Sequence, residues 1–441
     1  MTVPGILLRV GGAALLVLIL FHSVTRDIRY TGLYSDDLRN RIVGARLVED
    51  GRDPYTYKWK TGDGIRYYDP KNFDDHHTSV ITVSPFFLHL LSPVAGMPFS
   101  SISRWWLVLE YLALVVMVTI ALRAARDELQ KWTVLAFAVL FMLTNGWKHH
   151  VYVGQCYIWV PFLFALFHIA MRRRATPLWG FLAGCCAACL VLIRINGLFF
   201  LLPFVFLLPA APLRWKLAFC VAPLLLGGWT LLSSRERGLW VGYSTMLDEQ
   251  IRLHQGLPTP VQNNDPDPVL RHWEGVDQPD AMAARKNEHD RFTREIGNVF
   301  YLYRVAFNRR IPVPVLTGIC LALVALLVPA FFFQNRPLLQ LPLEKIVLFG
   351  CCLYMLSDLF SPVYRYQYPL VQWLFPLLLA AATYQGKERI AWVFLLAGIL
   401  LASFKIPLVK MPNTTGELLF FAALLTPCFI QSGRSPKEVS I

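Results

Sequence analysis

Charge is what this sequence has least of: Asp, Glu, Lys and Arg make up 16% of its 441 residues, against 55% hydrophobic. Soluble chains carry about a quarter charged residues, so a water-soluble globule is excluded, and disorder and fibrous repeats go with it. The alternating strands of roughly ten residues that build an outer-membrane barrel are also missing. The apolar runs are instead continuous, roughly 15 to 20 residues long and rich in Leu, Ala and Phe, and they recur from residue 5 to residue 430. That pattern reads as an all-α, polytopic membrane protein. No G-x-x-x-x-G-K-[ST] motif and no G-x-G-x-x-G after a strand is present. No internal repeat is visible, which speaks against the duplicated halves of many secondary transporters.

Cysteine is absent from both long polar stretches, residues 22–79 and 234–311. All nine (Cys156, Cys185, Cys186, Cys189, Cys220, Cys320, Cys351, Cys352 and Cys428) fall in apolar segments, so an external disulfide framework is excluded and core filling is their role. A cleavage pattern is missing too. Residues 5–21 run into Phe21-His22-Ser23 without a small-x-small site, so they read as a retained first span.

The net charge of +13 is confined to part of the chain. Residues 22–79 hold ten basic and ten acidic side chains and residues 234–311 hold eleven of each, so the excess lies in short loops and ends. Short basic loops are what a bilayer retains on its cytoplasmic side; this is not a nucleic-acid-binding surface.

Candidate membrane segments are 5–21, 80–97, 104–122, 131–145, 154–171, 177–192, 196–210, 214–232, 312–333, 344–360, 367–384, 389–404 and 416–431. Arg172-Arg173-Arg174, Arg214 with Lys216, Arg336 with Lys345, and Lys387 with Arg389 place their loops inside, which puts 234–311 outside. Alternation then leaves one segment too many. Ser84-Pro85 and Ser92-Pro93 interrupt 80–97, which therefore reads as non-spanning, giving about twelve transmembrane helices in one domain, 1–441, with both ends inside. A competing solution fuses 177–210 into irregular helices around Arg194. The hydrophilic mass lies in the two extracytoplasmic loops, 22–79 and 234–311, and loops that long are usually functional. The second, with Pro258, Pro260, Pro266, Pro268 and Pro279, reads as irregular in its middle and helical near 281–296.

Within the first loop, Ser35-Asp36-Asp37-Leu38 to Gly51-Arg52-Asp53-Pro54-Tyr55 frames a helix. Ser35 fits an N-cap, Asp36 and Asp37 suit the first turn, and Gly51 stops the helix. Leu38, Ile42 and Ala45 give an apolar stripe that would lie along the membrane surface. Carboxylates at a helix start need no catalytic explanation.

These pieces together resemble family 87 glycosyltransferases, integral membrane enzymes of the GT-C class that use polyprenyl-phosphate sugars. The resemblance rests on the Asp-Leu opening, the G-x-D-P-Y that follows, Val83-Ser84-Pro85-Phe86 to Met97-Pro98, Gly154-Gln155 at the head of a span, and Ser361-Pro362 before a late one. The sequence departs from the family pattern in two places: Cys156-Tyr157 follows Gly-Gln where Asn is usual, and Arg365 and Gln367 stand where Trp and His often occur.

The resemblance implies an inverting transfer of a hexose, most often mannose, from a polyprenyl-phosphate donor to a glycolipid, polysaccharide or glycoprotein acceptor. By position Asp37 is the general base, with Asp36 as its fallback. A base works best with its pKa near ambient pH, so desolvation must offset the helix dipole at Asp37. The leaving phosphate needs cations at the membrane boundary. Arg365 is the first candidate, Lys148-His149-His150 can donate to phosphate or sugar, and Gln155 follows them. Arg194 is costly at membrane depth unless it faces a cavity or partner, and it stands where such enzymes often place a basic residue. Asp74-Asp75-His76-His77 fits no metal template, and no metal or cofactor is implied. With no nucleotide motif, a nucleotide-sugar donor is disfavoured.

The expected setting is a bacterial-type inner membrane with the active site on its extracytoplasmic face. Two rival readings are a lipid-linked saccharide transporter or flippase, and a polysaccharide polymerase or O-antigen ligase using Arg252, His254, Arg271 and His272.

Overall fold

The computed structural model describes residues 3–33, 35–57, 63, 65–67, 81–174, 176–207, 211–255, 297–307, 309–336, 341–363, 365–384, 389–404, 409 and 411–429. Among them every regular element is helical: α1 (Val3–Leu33), α2 (Asp36–Glu49), α3 (Pro85–Ala95), α4 (Phe99–Ala124), α5 (Glu128–Phe141), α6 (Asn145–Val153), α7 (Trp159–Arg172), α8 (Pro177–Ile193), α9 (Gly197–Val205), α10 (Leu213–Leu232), α11 (Ser234–Gln255), α12 (Val299–Phe307), α13 (Val313–Gln334), α14 (Leu343–Leu359), α15 (Leu374–Thr383), α16 (Arg389–Ser403) and α17 (Pro412–Phe429). A 3-10 turn, Tyr368–Trp373, leads into α15.

α14 is the centre of the bundle, buried from Ile346 to Leu359 and packed on α7, α9, α15 and α17. α15 in turn packs on α4 and α5. The helices α1, α10 and α13 turn large apolar side chains outward, among them Phe21, Leu224, Leu232 and Leu326, as helices solvated by lipid do. Four helices, Val10–Gly32, Phe99–Ala124, Leu213–Leu232 and Val313–Gln334, are long and apolar enough to cross a membrane by length and composition. The shorter apolar helices have 10–17 residues. At 1.5 Å per residue these reach at most about 26 Å, short of a hydrocarbon core of roughly 30 Å.

Most apolar segments recur as helices close to their expected limits, with several corrections. α1 does not stop at residue 21 but continues to Leu33, because Ser23, Asp27 and Thr31, spaced by four, are buried along one of its faces. The first polar stretch therefore opens inside a helix. The 80–97 segment is the eleven-residue α3, too short to span. The 177–192 and 196–210 segments recur as two separate helices, α8 and α9, divided at Arg194, whose backbone is extended (φ −147°, ψ 117°). The second polar stretch opens with the long helix α11. Residues 258–296, with their expected irregular middle and helix near 281–296, lie outside the described residues.

α8 and α10 touch through glycine. A Cβ on Gly184 would lie 2.1 Å from the Phe219 carbonyl oxygen, and one on Gly180, a turn earlier, 2.4 Å from that of Trp215. Small residues one turn apart let two backbones meet where no hydrophobic force drives helices together. Gly184→Val should therefore lower stability by about 1–3 kcal/mol, read as a fall in the melting temperature of the detergent-purified protein. Gly227→Val, where nothing lies within 4 Å, is the control and should leave it near wild type.

Candidate functional site

The site is built on α2. Its apolar stripe is almost wholly buried, with Leu38 and Ala45 at 0% and Ile42 at 1% exposure, and it packs on α3. This corrects the expectation of a helix lying on the membrane surface: the stripe faces protein. Ser35 occupies the N-cap position but does not cap with its side chain. It is left-handed (φ 63°), its hydroxyl donates to the Thr31 carbonyl at 3.2 Å, and its N–H donates to the Tyr152 carbonyl at 2.9 Å. Gly51 (φ +72°) ends the helix as expected, with Gly51 N–H bonded to Val48 O and Arg52 N–H to Leu47 O.

Lys148, His149 and His150 form part of α6 rather than an open loop, and α6 ends at Gly154 (φ +67°). A Cβ at Gly154 would lie 2.7 Å from Leu38 Cβ, so only glycine lets the first turn of α2 sit there. Arg41, one turn beyond Asp37, donates to the Gly154 carbonyl (2.9 Å) and to Gln155 Oε1 (2.6 Å). The Gln155 amide donates to Asp37 Oδ2, which lies 3.9 Å from Arg41 Nη2. Asp37 and Arg41 thus clasp Gly154-Gln155. Desolvation raises the Asp37 carboxyl above the ordinary aspartate range and Asp36 adds to the rise, with Arg41 and the Gln155 hydrogen bond opposing it. The Asp37 side chain still keeps about a third of its surface open. Asp36 is half exposed and turned to Arg39.

The G-x-D-P-Y segment is a fastening. Asp53 accepts from the Tyr55 N–H (2.9 Å) and the Thr56 hydroxyl (3.0 Å), and Tyr55 OH donates to the Val83 carbonyl at the start of α3 (2.9 Å). The Tyr55 ring meets Tyr243 of α11 at 5.5 Å.

Arg194 and Arg365 belong to one buried network. Arg194 Nη2 lies 3.0 Å from Asp358 Oδ1, Arg365 Nε donates to Asp358 Oδ2, and Arg365 Nη1 donates to Glu417. Gln372 donates to Asp358 (3.1 Å), Trp373 donates to Glu417 (2.8 Å), and Tyr354 OH donates to Gln372. Arg365 is buried, with its charge answered by two carboxylates, and does not sit at a surface. Arg194 is about a quarter exposed and its guanidinium lies 4.7 Å from the Tyr157 ring, two residues beyond Gln155.

The two histidines diverge. His150 is buried, its Nε2 3.1 Å from Glu110 Oε1 but out of line for a hydrogen bond, and desolvation together with Arg41 lowers it to about 3, so it is neutral. His149 is half-buried beside the rings of Tyr152 and Tyr368, and Tyr368 meets Tyr157 at 5.5 Å. Lys148 has Arg26 and Asp27 of α1 as its charged neighbours rather than Asp37. The structure therefore joins Asp37 to Gln155 and Arg194 to Arg365, and sets Lys148 apart. Among the described residues no cluster of three metal-ligating side chains forms; Asp74-Asp75-His76-His77, Arg271 and His272 lie outside them.

Sequence reading missed Arg41, Asp358 and Glu417. Arg41 stands at i+4 from Asp37, and the other two are lone carboxylates in apolar segments, a signal that intramembrane charge has a partner.

Residues 82–269 match the sequence model of glycosyltransferase family 87. That segment is less than half of the chain, and over it the chain is similar to family 87 glycosyltransferases. The match runs from the residues preceding α3 past α11 and holds Lys148, His149, His150, Gln155 and Arg194, while Asp36, Asp37 and Arg365 lie outside it. No curated protein and no solved structure compared with the chain matches it.

Removing one member of a buried ion-pair network costs about 3–5 kcal/mol because the partner charge is stranded. Arg365→Gln leaves Asp358 and Glu417 underpaired and should cause a loss of that size, visible as aggregation or a much lower melting temperature. Arg194→Gln, at the more exposed end, should cost less.

Proposed function

We propose that the protein is an inverting hexosyltransferase that moves a hexose, mannose by family resemblance, from a polyprenyl-phosphate donor to a glycolipid or polysaccharide acceptor at the extracytoplasmic face. The single observation that carries this reading is the Asp37 carboxylate: partly open, held by Gln155 and Arg41, and raised by desolvation above the range a helix N-terminus would give. Asp37 takes the proton of an acceptor hydroxyl as that oxygen attacks the anomeric carbon. The bond from that carbon to the phosphate oxygen breaks with its electron pair, and polyprenyl phosphate leaves. A single displacement inverts the anomeric centre. Arg194, partly exposed beside Tyr157, lowers the barrier to phosphate departure. Gln155 holds the carboxylate in place, and His149 stands at the aromatic rim where a sugar hydroxyl can reach it.

The apolar helices, four of them long enough to cross a bilayer, support the membrane setting, and a lipid-linked donor suits a site beside such helices. The family match favours a transferase over a flippase. A ligase using Arg271 and His272 makes the opposite mutational forecast: loss at those residues with Asp37 tolerated.

General-base catalysis contributes about 10²–10⁴-fold, so Asp37→Asn should cut kcat by that factor with little change in expression or melting temperature. Transfer of radiolabel from polyprenyl-phosphate mannose to a membrane lipid extract measures it, and near-wild-type turnover removes Asp37 from the mechanism. The ionised carboxylate is the active form, so activity should fall as pH drops through the raised Asp37 pKa. Gln155→Leu removes a bond that favours the ionised form and should move this acid limb of kcat/KM to higher pH; an unmoved limb would show that another group titrates.

A further inference from the structure

Arg41 stands one turn beyond Asp37 on α2, yet the two side chains do not bond: their closest approach is 3.9 Å. The guanidinium is turned instead to the connection between α6 and α7, where Nη1 donates to the Gly154 carbonyl (2.9 Å) and Nη2 to Gln155 Oε1 (2.6 Å). Arg41 is buried. A buried arginine held short of its nearest carboxylate, with both Nη atoms spent on one dipeptide, orients that dipeptide rather than neutralising the acid.

The effect falls on Gln155. A guanidinium can only donate, so the atom it meets is the amide oxygen. The Cys156 N–H donates to the same oxygen at 3.4 Å. With both donors on Oε1 the amide cannot turn over, and its NH2 is left facing Asp37 Oδ2, to which it donates. An amide whose oxygen is gripped by a cation also donates more strongly through its nitrogen. Gln155 therefore passes the charge of Arg41 to the carboxylate without covering it. Oδ2 is occupied, Oδ1 receives no hydrogen bond from a described residue, and the side chain keeps about a third of its surface open. We propose that Arg41 is a positioning residue: it locks the Gln155 amide as a donor to Asp37 Oδ2, so that Oδ1 is the oxygen that takes the acceptor's proton. The acceptor's O–H bond breaks toward Oδ1 and its electron pair stays on the attacking oxygen. This rests on the reading of Asp37 as general base, and adds which of its oxygens is basic and what aims it. The groups facing Asp37 are Arg41 and Asp36 of its own helix, His150 of α6, Cys156, and Tyr368 of the 3-10 turn. His150 is neutral, so Arg41 is the one cation among them.

The test measures kcat, KM and the pH profile of kcat/KM for the full chain in detergent, with polyprenyl-phosphate mannose and the membrane lipid extract. Arg41→Gln removes both lock and charge. Its kcat should fall about tenfold at unchanged KM, and the acid limb should move up by about one pH unit, because the cation that favours the ionised form is gone. Arg41→Lys keeps the charge but cannot hold both oxygens with one fork, so kcat should fall with the limb close to wild type. Gln155→Glu can still pair with Arg41 but cannot donate to Asp37, and should lose at least as much activity as Arg41→Gln. These two variants carry the test if Arg41→Gln does not fold. Residues that act as a unit are not additive, so Arg41→Gln combined with Gln155→Leu should lower kcat no further than Gln155→Leu alone. The infrared carbonyl band of protonated Asp37, identified by its loss in Asp37→Asn, should titrate at higher pH in Arg41→Gln than in wild type, and reads the lock without turnover. Wild-type kcat and pH behaviour in the Arg41 and Gln155 variants, or additive losses in the double variant, overturn the proposal and leave Asp37 as the base. Near-wild-type turnover of Asp37→Asn removes the base itself, and a protein that shows the band shift but no transfer keeps the lock and loses the donor reading.

Discussion

Charge buried among apolar helices is the constraint on which this structure turns. Asp358 sits between Arg194 and Arg365, and Arg365 is shared with Glu417, so two cations and two carboxylates tie the α8–α9 break, α14, the stretch before the 3-10 turn and α17. Each charge is tolerable there only because its counter-charge is within bonding distance. The backbone follows: the Gly297 N–H donates to the Arg365 carbonyl at 2.7 Å, and Asn298 donates to the carbonyls of Ser361 and Val363, so the network also fixes where the second polar stretch re-enters the bundle. Polar pairing orients what lipid-facing leucines cannot.

A second clasp, smaller and more open, sits beside the first. The Gln155 amide holds Asp37 by one hydrogen bond, Arg41 fixes Gly154 and Gln155 by two more, and the Arg194 guanidinium over Tyr157 bridges the two clusters through a residue next to Cys156. The contrast between them is one of solvent. Asp358 is fully enclosed and doubly paired, whereas Asp37 keeps an open edge and a cation at 3.9 Å. The glycine at 154 makes this possible, because any Cβ there would push α2 away from α6.

Much of the helix plan was legible because apolar runs and their punctuation are local. Residues 104–122, 214–232 and 312–333 match α4, α10 and α13, and Gly51 ends α2 through a left-handed backbone that needs no distant partner. What local pattern misread were the polar helices. Residues 22–33 look like loop because Ser23, Asp27 and Thr31 look like surface; they are helical because that polar face is buried, with Trp147 and Tyr111 bonded to Asp27. The stripe of Leu38, Ile42 and Ala45 was seen correctly as a stripe, but its partner, α3, lies some forty residues on and cannot be read from periodicity.

The amino-acid sequence by itself determined that this is a helical membrane protein with two neutral polar stretches and a resemblance to family 87 glycosyltransferases, since composition, run length and ordered short motifs are properties of the chain alone. Which charges meet was decided only by the tertiary structure. Arg365 and Arg194 are about 170 residues apart and share Asp358, and Gln155 reaches Asp37 across more than a hundred residues. Pairing in a medium of low dielectric depends on distances of a few ångströms, and no spacing along the chain encodes those.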